Sequence, residues 1–169
     1  MRNPLFEVAP IMEPDSTEID AIDRRILARL QRDASIQNQQ LAGEVGLSPS
    51  PCHRRVRALE EARIIRGYVA LLDGPSIGAG FLAYVEVRLE RQAMEFSERF
   101  EKAVLARAEI LECVRVTGDY DYLLKVATRD IEAFHRFLIE TLTRIKGIAN
   151  TRTSIALNRV KETTALPIG

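Results

Sequence analysis

Ser50, His53, Arg54 and Arg57 sit three and four residues apart in one stretch, the spacing that brings side chains onto one face of a helix. These residue types suit nucleic acid. An arginine guanidinium grips guanine through two hydrogen bonds or clamps a phosphate, and a serine hydroxyl bonds to either. Ser48 and Pro49 open the stretch; Ser is a favoured N-cap and Pro a harmless first helical residue. The unpaired N–H groups and dipole of such a helix end attract phosphate. Arg66, in the strand expected to follow, is placed to touch the DNA backbone. The chemistry is recognition of double-stranded DNA, with the front of a helix in the major groove.

A reading helix needs neighbours that hold its front outward. Ile19, Ile22, Ile26, Leu27 and Leu30 form one apolar stripe, which predicts a first helix over about Glu18 to Arg32. Ser16 or Thr17 can cap it, and Glu18, Asp20 and Asp23 suit its positive end. Asp33-Ala34-Ser35 breaks it. A short second helix follows over about Gln37 to Val45, with Ile36, Leu41 and Val45 inward, and Gly46 supplies a left-handed turn. The reading helix then runs to about Ala62, with Cys52, Val56 and Leu59 on its inner face. Two β segments, Ile64 to Gly67 and Tyr68 to Leu72, are expected to form a strand or wing, and Asp73-Gly74-Pro75 ends the unit.

From Phe81 the pattern changes. Phe81 to Leu89 alternates as a strand, with Tyr84, Glu86 and Arg88 opposite Val85, Val87 and Leu89. Ala93 to Arg107 reads as a helix carrying Phe96, Phe100, Ala103 and Val104. Ile110 to Thr117 and Asp121 to Ala127 are strands joined by the turn Gly118-Asp119-Tyr120. Asp130 caps a helix to about Ile145, with Ile131, Phe134, Leu138, Ile139 and Leu142 inward, and Ile148 to Leu157 is a last strand. The order strand, helix, strand, strand, helix, strand is the ferredoxin-like βαββαβ arrangement, with both helices on one face of an antiparallel sheet. The apolar residues of the bare face need cover, which a second subunit supplies most simply.

The 169 residues suffice for two small domains, and 46% hydrophobic with 28% charged residues excludes a wholly disordered chain. Net charge is zero, so any DNA surface is local. Only Lys102, Lys125, Lys146 and Lys161 are lysines, so arginine content alone argues little and position must carry the case. No apolar run approaches the roughly 20 residues that cross a bilayer, and the N-terminus lacks a signal-peptide pattern; no membrane partner and a cytoplasmic location are expected. Cys52 with Cys113, and His53 with His135, lack the spacing of a disulfide framework or a metal site. No metal or cofactor is expected.

Several of these stretches, in this order, resemble the Lrp/AsnC (feast/famine) family of bacterial and archaeal regulators: Ile19-Asp20-Ala21-Ile22-Asp23, Val45-Gly46-Leu47-Ser48-Pro49-Ser50-Pro51-Cys52, Arg55-Val56, Leu59-Glu60, Ile65-Arg66-Gly67-Tyr68, Gly118-Asp119-Tyr120-Asp121-Tyr122-Leu123-Leu124-Lys125 and Thr151-Arg152-Thr153. The resemblance spans about Ile19 to Leu166. It implies an α+β chain: an N-terminal winged helix-turn-helix followed by a C-terminal ferredoxin-like domain that binds small amino acids. Residues 1–17 then form a flexible tail, 18–73 the DNA-binding domain, and 74–169 a linker with the ligand-binding and oligomerisation domain. The resemblance also implies promoter or operator DNA as partner, and homodimers assembling further, commonly to octamers. It departs at Arg63, where the family usually has Gly in a left-handed helix cap, a conformation Arg adopts at some cost. Ala108 stands where the family often has Pro.

An amino-acid effector is a zwitterion, whose ammonium wants a carboxylate and whose carboxylate wants N–H groups. Gly118, Asp119, Tyr120 and Asp121 are the candidate effector residues. Gly118 admits a ligand close to the backbone, and Asp119 or Asp121 can hold the ammonium. Thr151 and Thr153 can add hydroxyls from a neighbouring subunit. Gly-Asp is also an ordinary turn pair, in which Asp bonds its own backbone. An enzyme is not expected, because no nucleophile, metal set or cofactor loop accompanies the two carboxylates. The alternative is a sirohaem-decarboxylase-like enzyme on the same fold, but the Arg-rich helix argues against it.

Overall fold

Asp20 starts the first helix. A computed structural model describes residues 19–90 and 94–168; the expected tail over 1–17, the caps Ser16 and Thr17, Glu18, and the helix start at Ala93 lie outside the described residues. Helix α1 is Ala21–Leu30, ending with the last residue of its apolar stripe and two positions before the expected Arg32. Asp20 Oδ1 accepts from the N–H groups of Ile22 and Asp23, 2.8 Å each, so the acidic residue expected inside the helix is its cap. Asp33 closes the far end by accepting from Ser35 N–H and hydroxyl. Helix α2 (Asn38–Val45) ends at Gly46, φ 74°, and helix α3 (Pro49–Glu61) begins after Ser48. Ile26, Leu41, Ala42, Val45, Cys52 and Leu59 are the buried centre of this trihelical unit, and Val56, Ile64 and Ile65 pack against it. Arg29 joins α1 to α2 by donating to Glu44, at 2.6 Å.

The wing strands do not form within the chain. Residues 64–72 are in neither helix nor strand, and Tyr68, Val69, Leu71 and Leu72 are exposed. β-branched and aromatic content marks a segment that fits a sheet, but a strand exists only with a pairing partner. Arg66 therefore lies on an exposed segment outside any strand. Tyr68 ties the segment to the end of α3 through its hydroxyl, which donates to Glu60 at 2.9 Å.

The second unit is a four-stranded antiparallel sheet in the order β2-β3-β1-β4, from β1 (Phe81–Leu89), β2 (Ile110–Arg115), β3 (Tyr122–Thr128) and β4 (Ile148–Ile155). Helices α4 (Met94–Leu105) and α5 (Ile131–Glu140) cover one face. Their Phe100, Val104, Phe134 and Phe137 pack on Val85, Val87, Leu124 and Val126. This is the expected ferredoxin-like arrangement. Helix α5 stops at Glu140, five residues early, and a 3-10 turn over Leu142–Arg144 follows. There the Thr143 hydroxyl donates to the Ile139 carbonyl and competes with the helical pattern. The inward set also differs: Ile131 and Ile139 are exposed, and Phe137 is buried. The Asp130 cap sets the phase of the helix, and Phe134 lies 5.4 Å from Phe81 and 6.3 Å from Phe137 between ring centres.

The bare face is mixed rather than apolar. Pairing Tyr84 with Lys125 and Ser154, and Glu86 with Leu123 and Arg152, puts these side chains on the side away from the helices. Arg152 and Glu86 approach to 3.6 Å across it. One compact unit runs through Ala70 and takes in the chain from Lys161, and the other is Leu71–Val160, so the division falls before the expected Asp73-Gly74. Gln31, at the end of α1, holds the returning C-terminal segment: its amide donates to Leu166 O at 3.0 Å and accepts from Leu166 N–H at 2.6 Å.

Candidate functional site

Helix α3 turns by about 100° per residue, which separates its side chains by role. Cys52 and Leu59 are buried and Val56 half-buried, whereas Ser50, His53, Arg54 and Arg57 are all exposed. The structure thus brings the four residues onto one outward face, as their spacing predicts. Neither Arg54 nor Arg57 forms an ion pair among the described residues. Ser48 has the extended backbone of an N-cap, φ −78° and ψ 158°, but its side chain makes no capping hydrogen bond. Asn38 Nδ2 donates to Pro49 O at 2.9 Å and fixes the front of α3 to the start of α2. No sequence signal singled out Asn38. It precedes α3 by a whole helix and a turn.

Arg55 belongs to the same arginine run but serves the scaffold. Its Nη1 donates to Asp20 Oδ2 at 2.7 Å and Asp23 Oδ1 at 2.9 Å. The backbone N–H of Asp23, and then Arg55, hold the Asp20 carboxyl below the usual carboxylate range. The carboxylates of Asp23 and Asp20 in turn raise Arg55.

Arg63 closes α3 in the left-handed region, φ 55°, the only non-glycine residue with positive φ among those described. Its N–H bonds Glu60 O, and Ile65 N–H bonds Leu59 O, both at 3.0 Å. The departure at Arg63 thus changes the residue and keeps the cap. An L-residue in that region costs about 1–2 kcal/mol, so Arg63→Gly is expected to stabilise the first unit by about 1 kcal/mol. Thermal or urea unfolding checks this, and a lowered midpoint contradicts it.

In the second unit, Gly118, Asp119, Tyr120 and Asp121 make the tip between β2 and β3. Gly118 has φ +115°, and a Cβ there would meet open space, so the backbone conformation is what calls for glycine. Asp119 is exposed and Tyr120 half-buried. Asp121 is tied to the sheet at three points. Its Oδ2 accepts from Leu89 N–H at 2.7 Å, its N–H donates to Val87 O at 2.9 Å, and its carbonyl accepts from Val116 N–H at 3.0 Å. Below the tip, Arg115 Nη2 donates to Glu101 (2.8 Å) and to the Tyr122 hydroxyl (2.9 Å), and that hydroxyl donates to Glu101 (2.7 Å). This cluster braces the hairpin against α4. Burial pushes the Tyr122 hydroxyl up.

Thr151 and Thr153 are exposed on β4, an edge strand, opposite Val87 and Val85. Tyr122, Val87 and Thr151 form one row across three strands, which sets Thr151 roughly 10 Å from Tyr122. Burial raises the Cys52 thiol and pushes Cys113 up to about 11, so both stay protonated at neutral pH. Among the described residues no group of His, Cys, Asp and Glu could hold a metal, and no helix is long and apolar enough to cross a membrane.

Two family models match the chain. A winged helix-turn-helix DNA-binding model covers residues 19–66, and the Lrp/AsnC ligand binding domain covers 82–166. The chain is 45% identical over 151 residues to the leucine-responsive regulatory proteins of Escherichia coli K12 and Klebsiella pneumoniae, covering 89% of this chain and 92% of each relative. Among solved structures, it is similar to a transcriptional regulator of Neisseria meningitidis in complex with L-Met: TM-score 0.84, 39% identity, 88% of this chain and 96% of that one. An AsnC family transcriptional regulator of Agrobacterium tumefaciens has the same TM-score and coverage at 37% identity.

Proposed function

Because the chain belongs to the Lrp/AsnC family of DNA-binding transcription regulators, we propose that it reads promoter or operator DNA with α3 and answers to a small amino acid bound by its C-terminal domain. Ser50, His53, Arg54 and Arg57 face the major groove, while Ser48 and Arg66 meet the phosphate backbone. Support comes from the exposed row on α3, where two arginines carry no ion pair among the described residues. Such binding weakens steeply as salt rises, because phosphate contacts release counterions. Acting on chromosomal DNA places the protein in the cytoplasm.

The effector occupies the Gly118–Asp121 tip, with Thr151 and Thr153 supplied by a neighbouring subunit. Thr151 and Thr153 lie exposed on an edge strand, where a neighbouring subunit can bring them to a tip. The homologue from Neisseria meningitidis, solved with L-Met, favours an amino-acid ligand. Homodimers assemble to a higher oligomer, an octamer in this proposal, and effector bound between dimers favours one assembly over another. That requires different affinity for the two states. Sedimentation with and without amino acid, on DNA and off it, tests the assembly step; identical assembly and shape in all four conditions rules it out.

Asp121 allows a sharper test. Asp121→Asn keeps an acceptor for Leu89 N–H and gives up the charge. It is expected to hold stability within about 1 kcal/mol and to raise the effector concentration needed to change DNA binding about tenfold. Asp121→Ala also orphans that N–H and adds about 1–3 kcal/mol of destabilisation. An Asn variant with the wild-type effector response removes Asp121 from the ligand site.

A further inference from the structure

We propose that Arg55 is a positioning residue for DNA recognition: with Asp20 and Asp23 it forms a charged clip that sets the angle of α3 against α1 and takes no part in contacting DNA. Three observations carry this. First, the geometry is specific. One guanidinium nitrogen donates to two carboxylates at 2.7 and 2.9 Å, and Asp23 is the more enclosed, with a side chain 16% exposed. Secondly, Asp20 has two tasks on one carboxylate. Oδ1 caps α1 and Oδ2 takes Arg55, so the cap anchors α3 as well as ending α1. Thirdly, among the described residues this flank is open to water. A cavity of about 130 Å³ opens beside Arg55 and Asp23, between Ile19, Ala58, Leu59 and Ile64. A water-accessible cleft is not filled side chain against side chain, so the Arg55 hydrogen bonds supply a specific link between the start of α1 and α3 at this flank.

Position on the helix agrees. Arg55 lies about 100° around α3 from Arg54, half-buried where Arg54 and Arg57 are exposed. A side chain held by the cap carboxylate of Asp20 and by Asp23 in the first turn of α1 points away from the row that reads DNA. A helix tilted in the groove moves every base contact at once, whereas phosphate attraction tolerates tilt. Loss of the clip therefore falls on sequence-specific binding.

The proposal rests on α3 being the helix that enters DNA. The test uses full-length protein, duplexes that the wild type selects from a random pool, and unselected duplex as the non-specific reference. Arg55→Gln and Asp23→Asn are each expected to weaken selected-site binding about tenfold or more, to change unselected binding less than about threefold, and to leave the slope of log affinity against log salt unchanged. Arg55→Lys, which keeps the charge, recovers part of the loss. The Asp23 variant is decisive. Removing a negative charge near DNA strengthens binding on electrostatics alone, so weaker binding supports the clip, and tighter or unchanged binding overturns it. A salt slope reduced by about one in Arg55→Gln identifies a phosphate contact and overturns the proposal as well. Circular dichroism of each variant establishes that α1 and α3 are retained. Arg54→Ala separates the two readings. If it weakens binding while the clip variants do not, only the clip fails; if it has no effect, α3 is not the reading helix and both fail.

Discussion

Replacing Arg54 and Arg57 together by Ala is expected to weaken operator binding by about 10²–10⁴-fold, since each good bidentate contact to a base is worth about 1–3 kcal/mol. Both side chains are exposed and make no ion pair among the described residues, so stability stays within about 0.5 kcal/mol. Binding and folding therefore separate cleanly at this pair. The salt dependence divides the loss further. Every arginine that clamps a phosphate lowers the salt slope by about one, whereas one that reads a base relaxes specificity at a single position. Titration of selected and unselected duplexes at several salt concentrations gives both quantities. Affinity within threefold of wild type would show that another surface carries the DNA.

Gly147→Ala is expected to destabilise the C-terminal unit by about 2–4 kcal/mol, from strain at positive φ and overpacking together. Gly147 has φ +100°, and a Cβ there would overlap Phe96 Cδ1 and lie 2.9 Å from Cε1. Its carbonyl also accepts from Glu90 N–H at 2.8 Å, so the backbone has little room to yield. Urea unfolding followed through the signals of Tyr84, Tyr120 and Tyr122 reports on this unit. Phe96→Leu in the same chain is expected to relieve the steric part and leave the backbone part, a coupling that a double-mutant cycle measures. An unfolding midpoint equal to wild type in Gly147→Ala would contradict the close Phe96 contact. Strand β4 begins at Ile148, so the same substitution disturbs the strand that carries Thr151 and Thr153.

Much of this was legible in the sequence because it is local. Apolar stripes placed α1, α2 and α3, and the Ser48-Pro49 start with its three- and four-residue steps assigned the outward face of α3 correctly. The left-handed cap at Arg63 was expected only through the family resemblance, which puts a glycine there, since an arginine by itself gives no sign of positive φ. Misreadings occurred where a second element decides. Asp20 reads as a favourable charge in the first turn, yet it is the cap, and Ile131 reads as inward, yet it is exposed. Residues 64–72 carry strand-forming residues and find no strand to pair with among the described residues.

By itself, the amino-acid sequence determined the periodicities, the turns and caps that depend on a few neighbouring residues, and the chemical types on the face of α3. Tertiary structure alone decided which arginine of the run is committed internally, because Asp20 and Arg55 are 35 positions apart and meet only when α1 and α3 pack. It also decided that Asp121 holds the end of β1, that Gln31 grips Leu166, and that Thr151 faces Val87 two strands from Tyr122. Backbone preference acts over a few residues. Strand register and helix crossing are set by burial across the whole unit, where a slip of one residue reverses every side chain of a strand.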